Sequence, residues 1–151
     1  MDEILHAFQP DRKFQVWWYR VSHGQLLLRS GRWIKGTDNH ERTDVWFTSV
    51  GAMVLLDTNF RGGLTITRIH DAEGAAQQAG VNPKLLRHLH LFALDAAEGR
   101  SLVVAGRVYV AEDVGPLFGR TSWELQAEER WAQQIKDQTE LDLPESTEAE
   151  G

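Results

Sequence analysis

The chain contains no cysteine. That excludes disulfide staples, thiolate zinc sites and cysteine nucleophiles, and it fits a reducing compartment. No apolar run reaches the roughly 18 to 20 residues that a membrane-spanning helix needs. The opening stretch MDEILHAFQPDRK lacks a basic start followed by a long apolar core, so a cytoplasmic protein without a secretory signal is expected. Hydrolase signatures are missing too: there is no G-x-S-x-G, no H-E-x-x-H and no Cys/His pairing. Arg61-Gly62-Gly63 lacks the strand-to-helix setting of a phosphate-binding loop. An excess of one charge is likewise absent from most of the chain. Residues 1–120 hold 14 Lys or Arg against 13 Asp or Glu, whereas residues 121–151 hold 2 against 9. The formal charge of −6 therefore belongs to the C-terminal segment. A nearly neutral body has no field to recruit nucleic acid or anionic lipid, so neither is expected as a partner.

What the chain does have is bulky strand formers. Hydrophobic residues make up 42% of its 151 residues, and six are tryptophan. The densest stretch is Phe14 to Trp33, FQVWWYRVSHGQLLLRSGRW. Strict alternation puts Phe14, Val16, Trp18 and Arg20 on one face, and Gln15, Trp17, Tyr19 and Val21 on the other. Consecutive pairs such as Trp17-Trp18 and Trp46-Phe47 would then place one ring on each face. Ser22-His23-Gly24-Gln25 supplies a turn. Further strands are expected near 44–50, 52–57 and 64–70, and a second hairpin joins 89–95 to 101–112. Gly106 inside that second arm marks a bulge or a close backbone approach. Residues 1–12 suit a helical turn through Ile4, Leu5 and Phe8, and 35–43 a surface loop. Asp71 to Ala79 suits a short helix ended by Gly80, and Asn82 caps a turn that starts at Pro83.

Thr121-Ser122-Trp123-Glu124 is a capping box, and Ala127, Trp131 and Ile135 recur at fourfold spacing as a stripe for docking. The expected fold is α+β and mostly β, with a single globular domain over 1–140. It is a single antiparallel sheet, shaped as a half-barrel or sandwich, with short helices and a C-terminal helix packed on it. Residues 141–151 are expected to be an acidic disordered tail.

The segment Tyr19-Arg20-Val21-Ser22-His23-Gly24-Gln25-Leu26-Leu27-Leu28-Arg29-Ser30 resembles the pattern Y-x-V-S-H-G-x-L-L-x-R-S of a group of small bacterial proteins. Val104-Ala105 through Glu112-Asp113 is similar to a later V-A-x-x-x-x-V-x-E-D stretch of the same group. The resemblance covers about the first 115 residues in patches. It implies a bacterial, intracellular protein and brings no activity with it.

Candidate site residues divide into two sets. Ligand binding points to His23 in its turn, with Arg20 and Arg29 on the flanking strands able to grip a carboxylate or phosphate. His90 adds a second imidazole. His88 and His90, two apart on a strand, would share a face as a metal pair does, but no carboxylate or third histidine falls at the usual spacing. No metal, cofactor or catalytic residue is assigned. The second set, Trp17, Tyr19, Trp33 and Trp46, is of a type enriched at protein interfaces. The leading expectation is a non-enzymatic interaction domain of the immunity or antitoxin kind, with a protein partner or a second copy of itself. The alternative is a small-ligand or metal-binding protein, or an enzyme, with a pocket between sheet and helix.

Overall fold

Phe14, Leu26, Leu28, Val45 and Phe47 from one sheet meet Leu64, Ile66, Phe92, Leu94 and Val103 from another in a shared core. This is the organising contact of the computed structural model, which describes residues 1–141. In chain order the strands are β1 (Glu3–Phe8), β2 (Phe14–Arg20), β3 (Gln25–Trp33), β4 (His40–Thr48), β5 (Ala52–Val54), β6 (Asn59–Phe60), β7 (Leu64–Arg68), β8 (His90–Ala96), β9 (Gly99–Ala105) and β10 (Arg107–Gly115). The first sheet runs β1-β7-β8-β9-β5 and the second β10-β4-β3-β2-β6. All pairings are antiparallel. The mostly β class therefore holds, but the single sheet is replaced by two that face each other, and neither closes into a barrel.

The chain divides into a unit spanning Met1–Leu117, which holds both sheets, and a second beginning at Phe118. In the first unit, α1 (Ala72–Gln78) buries Ala76 with Ile69, Val81, Leu91, Ala93 and Val104 on the other face of the first sheet. Asn82 Oδ1 accepts from Lys84 N–H at 3.0 Å, and Pro83 opens the short 3-10 turn after it. Gly80, at φ 75°, ends the preceding turn. The second unit contains α2 (Ser122–Leu141). Its capping box is formed: Glu124 N–H donates to Thr121 Oγ1 at 3.0 Å, and Thr121 N–H donates to Glu124 Oε1 at 3.2 Å. Ala127, Trp131 and Ile135 on the expected stripe are exposed. The expected tail lies, beyond Leu141, outside the described residues.

Four local expectations change. Residues 3–8 pair with β7 as a strand rather than coil into a helical turn. Their partner lies some sixty residues away, so nothing local announces it. The 35–43 loop is shorter than expected, because β4 already starts at His40. The long arm 101–112 splits at Gly106, where the chain leaves β9 in one sheet and enters β10 in the other. Gly106 N–H donates to Thr48 O at 2.9 Å, and a Cβ there would stand 3.1 Å from that of Ser49, so the crossing is tight. Finally, His88 ends the 3-10 turn at φ −128°, ψ −7°, and only His90 belongs to a strand, so the two do not form a same-face strand pair.

Candidate functional site

Residues directly opposed across antiparallel strands put their side chains on one face, so the registers read out the outer surface of the second sheet row by row. Trp18, Leu27, Trp46 and Tyr109 form the first row. Gln15, Arg29, Asp44 and Ala111 form the next. Gly31, Arg42 and Asp113 follow, and Trp33, His40 and Gly115 close the series.

The first row depends on a defect. Pairing of β2 with β3 slips by one residue between Val16 and Trp18, so Trp17 is the extra residue of a β-bulge. The slip brings both indoles to the outer side, against the expected alternation. Trp18 enters the aromatic row, while the Trp17 ring lies 5.3 Å from the Arg29 guanidinium carbon. Trp46-Phe47, with no bulge, alternates as expected: Phe47 enters the core and Trp46 packs at 5.6 Å on Tyr109. Arg20 stacks on Trp18 at 3.9 Å.

The middle rows are ionic. Arg29 Nε donates to Asp44 Oδ1 at 2.7 Å and its Nη2 donates to Oδ2 at 3.1 Å, a two-pronged fork with side chains only 1% and 3% exposed. The third nitrogen, Nη1, donates to Leu117 O at 2.7 Å. Arg42 repeats the scheme on Asp113, at 2.8 and 2.6 Å, with Nη1 donating to Pro116 O at 2.9 Å. The hydrogen bond to Asp113 holds the Arg42 guanidinium above its ordinary value despite burial. Two charged forks therefore strap Pro116-Leu117 across the face just after β10 ends. Gly31 makes room for the strap, because a Cβ there would collide with Leu117 Cδ1.

Beside the strap, towards β6, lies a cleft of about 370 Å³. Lys13, Gln15, Trp17, Arg29, Asn59 and Arg61 line it, and among the described residues no acidic side chain does. Gln15 Nε2 donates to Asn59 Oδ1 at 3.0 Å across its wall.

The residues proposed from sequence are dispersed over this frame. His23 is exposed in a 3-10 turn (Val21–His23), where Gly24 at φ 54° completes the reversal. Arg20 sits at the same end of β2. Arg29 stands four residues along β3 from Gln25, about 13 Å from that turn by strand rise. It is buried and engaged with Asp44, not facing solvent as an anion grip. His90 is in the other sheet, with its ring edge towards Phe92 at 6.2 Å. Among the aromatic set, Trp17 and Trp46 are half-buried on the outer face. Tyr19 is exposed on the part of β2 that β6 does not reach. Trp33 is exposed at the end of β3, its indole N–H donating to Thr37 O at 2.8 Å. Among the described residues no group of three or more His, Cys, Asp or Glu is arranged to hold a metal ion.

Sequence reasoning missed Asp44, Arg42, Asp113, Lys13 and Arg61. Charges embedded in apolar strand segments, as in LLLRS and RTDVWF, were the available signal, because a charge that must be buried needs a partner opposite.

The Met1–Leu117 unit is thus an antiparallel two-sheet sandwich whose second sheet carries a built outer face. No family model, curated protein or solved structure matches the chain.

Proposed function

We propose that this protein is a non-catalytic interaction module that accepts an extended segment of a partner polypeptide along β10. The observation that carries the reading is that edge. β10 is nine residues long, pairs with β4 on one side only, and holds no proline and no bulge against β4. Natural sheets usually blunt such an edge; β10 carries charges at Arg107, Glu112 and Asp113 but neither proline nor a bulge, so its backbone can still template strand addition. The aromatic row ends on it at Tyr109, 37% exposed, where it can clasp a side chain of an added strand. Arg107 and Glu112 on the same strand are exposed and supply both signs of charge for register.

Neutralisation of a basic partner, as an immunity or antitoxin protein performs it, is the narrower form of this reading. The acidic balance after Thr121 and the exposed Trp131 and Ile135 of α2 support it. The test is native mass spectrometry of the full chain gently isolated from its own cells. A complex with a second polypeptide is expected, and Tyr109→Lys should abolish it while leaving the far-UV circular dichroism unchanged. A homodimer that Tyr109→Lys dissolves would make the added strand a second copy. A bare monomer, or a complex indifferent to Tyr109→Lys, overturns the reading.

A further inference from the structure

The cleft at the opposite edge of the second sheet carries an independent inference. Phe14 pairs with Phe60 and Gln15 with Asn59, and Lys13 and Arg61 are the next residues of the two chains beyond that pairing, both lining the cleft. Phe14 and Phe60 point into the core, which leaves Lys13 and Arg61 on the outer side with Gln15 and Asn59. Two cations lining one cleft repel each other, and local rules are broken most often where a site needs them broken. Lys13 makes no ion pair among the described residues. Arg61 pairs with Glu98, with Nε 3.9 Å from Oε1 and its backbone N–H donating to Oε2 at 3.1 Å, and Asp57 is a second acid near it, but neither acid lines the cleft.

We infer that this cleft binds a small flat organic anion, with its carboxylate or phosphate between Lys13 and Arg61 and its ring against Trp17. The parts match that chemistry. Two exposed cations supply charge-assisted donors. Trp17, brought outward by the bulge and backed by Arg29, supplies a fixed apolar wall. The Gln15–Asn59 carboxamide pair supplies polar edges for orientation. The volume lies at the small end of ligand pockets, which suits a one-ring ligand.

The probes are benzoate and phenyl phosphate, with phenol as the uncharged control and inorganic phosphate as the ring-free one. They are added to the full chain while its indole N–H resonances are followed by NMR, Trp17→Phe serving only to assign the Trp17 signal. A saturable shift of that signal is expected with at least one aromatic anion, at roughly millimolar dissociation constant for so small a ligand. Phenol and phosphate should each bind about tenfold more weakly or worse. Lys13→Glu should abolish the shift, because it reverses one of the two charges that would hold the anion. Lys13→Met, which keeps the aliphatic stem, should lose about tenfold in affinity. No saturable shift with either anion, equal binding of phenol, or binding that survives both Lys13 variants overturns the inference.

Discussion

The Arg29–Asp44 fork offers a sharp test of the structure, because burial, geometry and pairing all enter its energy. Asp44→Ala removes the carboxylate and leaves a guanidinium whose side chain is 1% exposed with two of its bonds lost. Truncating one member of a buried ion pair costs about 3–5 kcal/mol, chiefly as the penalty on the abandoned charge. The bond from Nη1 to Leu117 O survives the change, and so does the contact with Trp17, which offsets about 0.5–1 kcal/mol at most. The net expectation is about 3–4 kcal/mol, a large part of the roughly 5–15 kcal/mol by which a domain is stable. Replacing both residues together, Arg29→Met with Asp44→Leu, removes the orphaned charge and fills the space with apolar atoms. It should restore at least half of the loss, giving a coupling of about 2 kcal/mol or more in the double-mutant cycle. Urea unfolding followed by tryptophan emission and by far-UV circular dichroism measures all four proteins. An Asp44→Ala cost below about 1 kcal/mol, or strictly additive losses in the cycle, would refute the buried fork.

Two further substitutions probe the local architecture. Gly24→Ala forces a side chain onto φ 54° and sets a Cβ 2.8 Å from Val50 O, so the variant should lose about 1–2 kcal/mol or more, read as a fall of several degrees in melting temperature. An unchanged melting temperature would show that the Gly24–Val50 approach is wrong. Thr121→Ala removes the side-chain acceptor of the capping box and should cost about 1 kcal/mol of local helix stability, visible as reduced ellipticity at the helical minimum. Thr121→Ser, which keeps the hydroxyl, should restore the signal, and failure of that rescue would refute capping as the cause.

The residues that were legible in the sequence are those whose structure is decided locally. Phe14 and Val16 share the core side because they alternate, Gly24 takes positive φ because the turn needs it, and Thr121 with Glu124 caps α2 because both partners lie within one turn. What was illegible is decided by partners far along the chain. The strand at Glu3–Phe8 exists because β7 presents an edge to it, and EILHAF has no strand alternation of its own. The single-sheet expectation failed at Gly106, since a glycine can announce a bulge, a close approach or a change of sheet in the same way. The Arg29 site was half legible: the arginine was singled out, but Asp44 stands fifteen residues away and is recognised only once β3 and β4 are in register.

The Trp17 bulge shows how one such non-local decision reorganises a whole face. Without it, Trp17 and Trp18 would lie on opposite sides of β2, and one indole would compete with Leu26 and Leu28 for the core. With it, both rings go outward, Trp18 completing the aromatic row and Trp17 walling the cleft over Arg29. A one-residue slip flips every later side chain in the strand, so the bulge also decides that Arg20 stacks on Trp18 at the outer side. The outer face holds the fold's other departures from ordinary sheet design: two buried guanidinium forks, a cleft lined by two cations and a nine-residue edge without proline or bulge. None of these is what core packing asks for. Their concentration on one face is the reason both proposals are placed there and not on the face that α1 covers.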